Sequence, residues 1–401
     1  MSAFRTKAPL AAAGVLLLAA VMLAAAGRPA SMADGPTGLT DDEIRDQDIA
    51  FYQARVERDP EGARDRAMLG SLYLLRARET GNLEDLVRAE TIARESFQVR
   101  SRKNGTALHV LASSLVGQHR YPEALEQVRI LVSDDSSNLS YLALKGEIEM
   151  ELGAYAAAES TFTRLRSWGY KLTVATRLAR WEELTGNPEG ARALLVRARD
   201  EALRQVNLPR EQKAWFHLRV GDLAFRYGRI REAESAWKAG LALSPTDHRL
   251  LSSMSRLELS RRHWDGAIAY GEAALARSLD PATLGVLSDA YAASGDPAKS
   301  ADYLRTMELV VLGQPGAYHR AWSLYLLNHD RQVALVLANV QTDIEARKDI
   351  YGYDLLAWAL FKNGRACEAR DAMRQALMLG TRETMLLDHA AAIARSPCRS
   401  S

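Results

Sequence analysis

The chain has 401 residues, enough for two or three compact domains or for one extended repeat array. Apolar residues make up 47% and charged residues 25%, and a formal net charge of +2 excludes association driven by global charge with nucleic acid or an anionic surface. Ala, Leu, Arg and Glu dominate while β-branched residues are sparse, which favours helix throughout.

The N-terminus stands apart from the rest. Arg5 and Lys7 precede an uncharged apolar run from Ala8 to Gly27, and Ser31-Met32-Ala33 offers a small-x-small cleavage pattern. That order is the order of a secretory signal. The apolar run also approaches the ~20 residues of a spanning helix, so a retained anchor that tethers the chain to the membrane is the rival to cleavage. Either way residues 1–33 are expected to export the chain to the periplasm or beyond. Residues 34–62 then read as a polar linker followed by a capping helix, with Thr40 and Glu43 in capping-box spacing and a helix expected over Asp41 to Arg58.

From there the chain has a period. Ala124, Ala158, Ala191, Ala233, Ala267, Ser300, Ala334 and Ala369 are separated by 34, 33, 42, 34, 33, 34 and 35 residues. Five positions before each lie His119, Gly153, Gly186, Gly228, Arg262, Gly295, His329 and Gly364, and glycine there suits a left-handed helix C-cap. Twelve positions before each lie Ala112, Gly146, Ala179, Gly221, Ser255, Ser288, Trp322 and Ala357, small in all cases but one, which lets two helices approach closely. Larger apolar residues such as Phe162 and Trp237 follow four positions after the ladder.

This pattern resembles the tetratricopeptide repeat, a helix-turn-helix unit of 34 residues. The stretch from Trp215 to Pro245 carries the resemblance best, through Val220-Gly221, Gly228, Ile230, Ala233, Trp237 and Leu241. The resemblance implies an all-α, right-handed solenoid of about nine repeats over 63–380, closed by a C-terminal capping helix and tail over 381–401. The step of 42 residues between Ala191 and Ala233 holds eight extra residues, which read as a lengthened second helix ending near Asn207-Leu208-Pro209.

Catalytic and metal signatures are missing from the sequence. The eight histidines stand outside H-E-x-x-H and lack cysteine or carboxylate neighbours at metal-ligand spacing. There is no G-x-S-x-G, Walker loop or G-x-G-x-x-G, and the glycines fall one per turn rather than in a phosphate cradle. Neither a cofactor, a metal nor a nucleic-acid partner is expected, and the chain does not read as an enzyme.

In such arrays the first helix of each repeat lines the concave groove. Carrying that register over puts Arg177, Arg180, Arg219, Asp222, Arg226 and Arg256 in mid-groove. The Lys and Asn that grip chaperone C-terminal carboxylates in some members are missing from the corresponding positions. The arginines suit an acidic or extended peptide; salt bridging between neighbouring repeats is the competing reading. Cys367 and Cys398 are the only cysteines. The repeat register puts Cys367 in the first turn of the last second helix, and an antiparallel capping helix returns Cys398 to it, so a disulfide is expected in an oxidising compartment. These features together predict a scaffold of the cell envelope that binds a protein or peptide, with a membrane-tethered structural subunit or assembly factor as the alternative. They are silent on oligomeric state.

Overall fold

The computed structural model describes residues 39–313 and 319–398. The expected signal or anchor over 1–33 lies outside the described residues. The unit that begins at Asp41 consists of α1 (Asp41–Arg58), nine helix pairs and a last helix, α20 (Thr384–Arg395). The pairs are α2/α3 (Ala63–Thr80, Leu83–Val99), α4/α5 (Gly105–Gly117, Tyr121–Asp134), α6/α7 (Leu139–Glu151, Tyr155–Ser167), α8/α9 (Leu172–Leu184, Pro188–Arg204), α10/α11 (Arg210–Arg226, Ile230–Leu243), α12/α13 (His248–Ser260, Trp264–Leu275), α14/α15 (Pro281–Ser294, Pro297–Gly313), α16/α17 (His319–Asn328, Val333–Ala346) and α18/α19 (Ile350–Lys362, Ala366–Ala376). The described residues contain no strand.

Each pair is built by the same local chemistry. The first helix tends to start on an Asn or Asp cap: Asn138, Asp247 and Asp349 each accept from two main-chain N–H groups of the helix they open. It ends where one residue turns left-handed and the main chain closes a six-residue loop, as in Arg120 N–H to Leu115 C=O at 2.9 Å and Arg229 N–H to Ala224 C=O at 2.8 Å. The second helix follows at once, and its fourth residue is the buried ladder alanine. Four residues on, Phe162 and Trp237 reach back over Gly146 and Gly221. A Cβ at either glycine would meet the ring at 2.8 Å or 2.3 Å, so the spacing of small and large residues is the spacing of one tight helix crossing.

The ladder slips in one repeat. The left-handed turn residue there is Asp330 rather than His329, and Gln332 adds a second one. The buried fourth-turn residue is therefore Val336 and not Ala334, which is exposed. The same shift places Ser323 at the small-residue position that the alanine count assigns to Trp322; Ser323 is buried. The apparent departure at Trp322 is thus a register error: one extra residue before the turn moves the small position to Ser323, and a second, at Gln332, moves the buried position on to Val336.

The eight extra residues also divide differently from expectation. α9 ends at Arg204 with 17 residues, and α10 gains a turn of its own, also reaching 17, against 13 in α6 and α8. That added turn carries Glu211, which pairs with Arg78 of α2 at 3.1 Å and with Arg249 of α12 at 2.5 Å.

Glu211 belongs to a set of contacts that no repeat period announces. The solenoid winds tightly enough for helices about five repeats apart to touch. Arg347 pairs with Glu151, Tyr155 Oη accepts from Ile350 N–H at 2.7 Å, and Thr384 Oγ1 donates to the Arg226 carbonyl at 2.8 Å. Ile350 and Leu386 join a core cluster whose other buried members come from α6 to α8. At Gly153 and Gly186 the turn is both left-handed and pressed against the next winding. A Cβ there would lie 2.3 Å from the Lys348 or the Gly380 carbonyl oxygen respectively.

The last helix is fastened at its far end. Cys367 and Cys398 form a disulfide with their Cα atoms 5.0 Å apart, within the range such bonds need. Arg370 adds hydrogen bonds to the carbonyls of Ala394 and Ser396.

Candidate binding face

The first helices α6, α8 and α10 stack side by side and line a cavity of about 380 Å³. Glu147, Met150 and Glu151 come from α6, Thr176, Arg177 and Arg180 from α8, and Trp215, Arg219 and Arg226 from α10. Four of the five arginines singled out in the sequence therefore share one cavity. Helical spacing brings them there: Arg177 and Arg180 are three apart, Arg219 and Arg226 seven apart, so each pair lies on one helix face.

Their states differ. Arg177 donates to Glu147 at 2.6 Å. Arg180 and Arg226 converge on the buried carboxylate of Glu183, at 2.6 Å from Arg180 and at 2.6 and 3.0 Å from the two nitrogens of Arg226. Burial alone would raise the Glu183 pKa, but the two guanidinium charges and their hydrogen bonds outweigh it and bring it to about 2. Arg177, on Glu147 of α6, and Arg226, on Glu183 of α8, thus bridge neighbouring repeats, while Arg180 pairs within its own helix. Glu183 is the partner that the sequence hides among many acidic helix residues.

Arg219 and Arg256 behave otherwise. The nearest carboxylate oxygen to Arg219, of Asp222, is 3.7 Å away, beyond hydrogen-bond reach. Arg256 of α12 lies over the rings of Phe225 and Trp237, 4.9 and 6.0 Å from their centres, and pairs with no acid among the described residues. Burial lowers the pKa of both, opposed chiefly by the charge of Asp222, whereas Arg180, through Tyr351 and then Glu183, and Arg226, through Glu183, stay raised despite burial. The guanidinium charge of Arg219, a quarter exposed at the cavity wall, is only weakly compensated by the protein itself.

One side of this face is covered by α18 and α20. Arg180 Nη2 donates to Tyr351 Oη at 2.5 Å and its guanidinium lies 5.1 Å from the ring centre; Tyr351 Oη donates to Glu383 at 2.7 Å. A larger, open cleft of about 1110 Å³ lies between α3 and α5 beside the basic turn at residues 100–104. Its floor is apolar, with Phe97, Leu108 and Leu131, and its charges stay on the rim, so it lacks converging polar groups. Among the described residues no group of three or more His, Cys, Asp or Glu could hold a metal ion, and no helix is long and apolar enough to cross a membrane.

Helix pairs in tandem, capped by left-handed turns at a 34-residue period and stacked into a solenoid, define an all-α tetratricopeptide-type fold. Solved structures are similar to it. The APC/C hetero-tetramer Cut9–Hcn1 has a TM-score of 0.53 at 14% identity, over 88% of this chain and 67% of that one. PilW, a widely conserved type IV pilus biogenesis factor, gives 0.42 at 18% identity over 52% and 94%. A tetratricopeptide repeat protein from Parabacteroides merdae gives 0.41 at 16% over 60% and 92%. No protein-family model matches the sequence, and no curated protein matches it.

Proposed function

We propose that the chain is a non-enzymatic protein-interaction scaffold of the cell envelope, and that it binds an acidic or extended peptide segment against α8, α10 and α12. The observation that carries this reading is Arg219, whose donors face a cavity without a hydrogen-bonded partner among the described residues. A guanidinium in that state is matched by a carboxylate or by main-chain carbonyls of a peptide. Arg256 extends the same surface one repeat further, and the half-buried Trp215 supplies apolar contact beside it. Export is supported by the order of basic, apolar and small residues at the N-terminus and is in keeping with the Cys367–Cys398 bond.

Titration of a fluorescent decapeptide of alternating Glu and Ala into the protein tests the reading. Arg219→Ala and Arg256→Ala should each weaken binding by about tenfold, the worth of one charge-assisted hydrogen bond. Equal affinity for wild type and both variants, or no saturable binding to wild type, refutes it. The membrane-tethered alternative is favoured by the uncharged run from Ala8 to Gly27; N-terminal sequencing of the mature protein decides it, since an intact Ala8–Gly27 means a tether.

A further inference from the structure

The cleft between α3 and α5 shares no residue with the cavity lined by α6, α8 and α10. Its volume of about 1110 Å³ exceeds the roughly 300–1,000 Å³ of small-molecule pockets. One residue marks it in the sequence. Six positions after the buried turn residue, the later second helices carry Arg164, Arg197, Ala239, Ala273, Thr306, Thr342 and Gln375, all polar or small. In α5 that position is Ile130, which is half exposed and lines the cleft. A single exposed isoleucine is ordinary, but this one continues the apolar floor of Phe97, Leu108 and Leu131 out to solvent.

The two rims carry opposite charges. Arg102 and Lys103 stand on the α3 side, and neither side chain forms an ion pair among the described residues. Asp134 and Asp135 stand on the α5 side. The basic turn is held in place by Asn104, whose Nδ2 donates to Ser96 Oγ at 2.9 Å and to the Arg100 carbonyl at 3.1 Å. Ser96 Oγ in turn donates to the Ala63 carbonyl at 2.7 Å, which fixes the turn to the start of α2.

We infer that this cleft is a docking site for an amphipathic helix of a partner protein, separate from the arginine face. The apolar stripe of that helix packs on Ile130 and Phe97, its acidic flank meets Arg102 and Lys103, and its basic flank meets Asp134 and Asp135. The chemistry of the cleft selects this occupant. The described residues contain no strand, so they offer no sheet edge for strand addition. An anionic lipid surface would meet Asp134 and Asp135 with like charge. A helix presents one apolar stripe between two flanks that can differ in sign, which is what the floor and rims require.

The probe is a fluorescent, side-chain-stapled peptide of about 15 residues, long enough to hold its helix, with leucine along one stripe, glutamate on one flank and lysine on the other. It should bind the full chain with a Kd of about 0.1 mM. Ile130→Glu should weaken it at least about tenfold, since it puts a charge against the apolar stripe. Arg102→Glu should weaken it about threefold, as a rim charge does. Both positions are exposed, so urea midpoints should match wild type, and Arg102→Glu carries the test should Ile130→Glu unfold. An excess of the Glu/Ala decapeptide should leave the helix bound; displacement would put both ligands on one face and refute the separate site. No saturable binding to wild type, or equal affinity for a peptide whose stripe leucines are alanine, overturns the inference. So does a wild-type dimer in sedimentation that Ile130→Glu dissociates, which gives the cleft to a second copy. Flotation with phosphatidylglycerol vesicles that Ile130→Glu abolishes gives it to a lipid surface and overturns it as well.

Discussion

Arg180 and Tyr351 stand 171 positions apart in the chain and meet through a hydrogen bond of 2.5 Å and a ring contact of 5.1 Å. Neither residue stands out within its own repeat. Their meeting shows that the first helices of distant repeats face one another, which turns a string of local units into a body with a shared interior. Four consequences can be measured.

The turn glycines should fall into two classes. Gly228 is left-handed, and a Cβ added to it would have nothing within 4 Å, so Gly228→Ala should cost only the strain of that conformation, about 1 kcal/mol. Gly186 is equally left-handed but faces the Gly380 carbonyl at 2.3 Å. Gly186→Ala must also push the next winding away and should cost at least about 3 kcal/mol, in the range of severe packing changes. Urea midpoints of the two variants compare them directly; equal losses would mean that the windings do not press together at Gly186.

Acid should act through Glu183. Its pKa of about 2 in the folded chain lies below the ordinary value near 4.3 of the unfolded chain, so its ionised form stabilises the fold. That stability is fully present above the unfolded value and is lost as pH falls from about 4.3 to about 2, amounting to roughly 3 kcal/mol. Glu183→Gln should be less stable at neutral pH, with Arg180 and Arg226 left without their carboxylate, and should show a shallower loss across that window. Chemical denaturation at a series of pH values from about 5 down to about 2.5 gives the two slopes, and parallel slopes would remove Glu183 from the account.

The disulfide closes a sequence separation of 31 residues, for which the chain-entropy estimate is about 3 kcal/mol. Replacing both cysteines with serine should lower stability by up to that amount. Amide exchange should rise in α20 well before it rises in α18. An intact mass two hydrogens lighter before reduction than after it confirms the bond itself.

Arg347 joins Glu151 and Asp349 and lies over the Tyr121 ring, so it ties α18 to α5 and α6. Burial pushes the Glu151 pKa up, and the Arg347 charge is the chief force opposing that rise. Arg347→Ala should cost about 1 kcal/mol, as expected when a half-buried carboxyl, still partly reached by water, loses its charged partner. The informative readout is where protection is lost: exchange should quicken in α6 and α18 together and leave α12 unchanged. Quickening confined to α18 would show that the windings are energetically separate.

What the sequence could reveal follows from how far each interaction reaches. The repeat was legible because left-handed turns and the Gly146–Phe162 and Gly221–Trp237 crossings lie within 16 residues and recur at a fixed interval. The cysteine pairing was legible because only two cysteines exist and the repeat register brings them together. Reading alanines alone failed at Ala334, where one extra residue before the turn and a second at Gln332 move the buried role to Val336. The arginine cluster was visible, but not which members the chain itself occupies. Glu183 looks like any acidic helix residue, and Tyr351 lies about five repeats away with no periodic signal linking it to Arg180. The added turn of α10 was visible only as surplus length, and its use, contact with α2 through Glu211, depends on the winding.

A solenoid whose repeats touch only their neighbours extends under load like a coil spring, each unit yielding a little and recoiling. The bonds from α6 and α8 to α18 and from α10 to α20 rivet one coil to the next. Tension applied at the two ends would meet almost no compliance until those rivets shear, and would then lengthen the molecule in one step. A chain built from spring-like parts would in this way give only at a threshold.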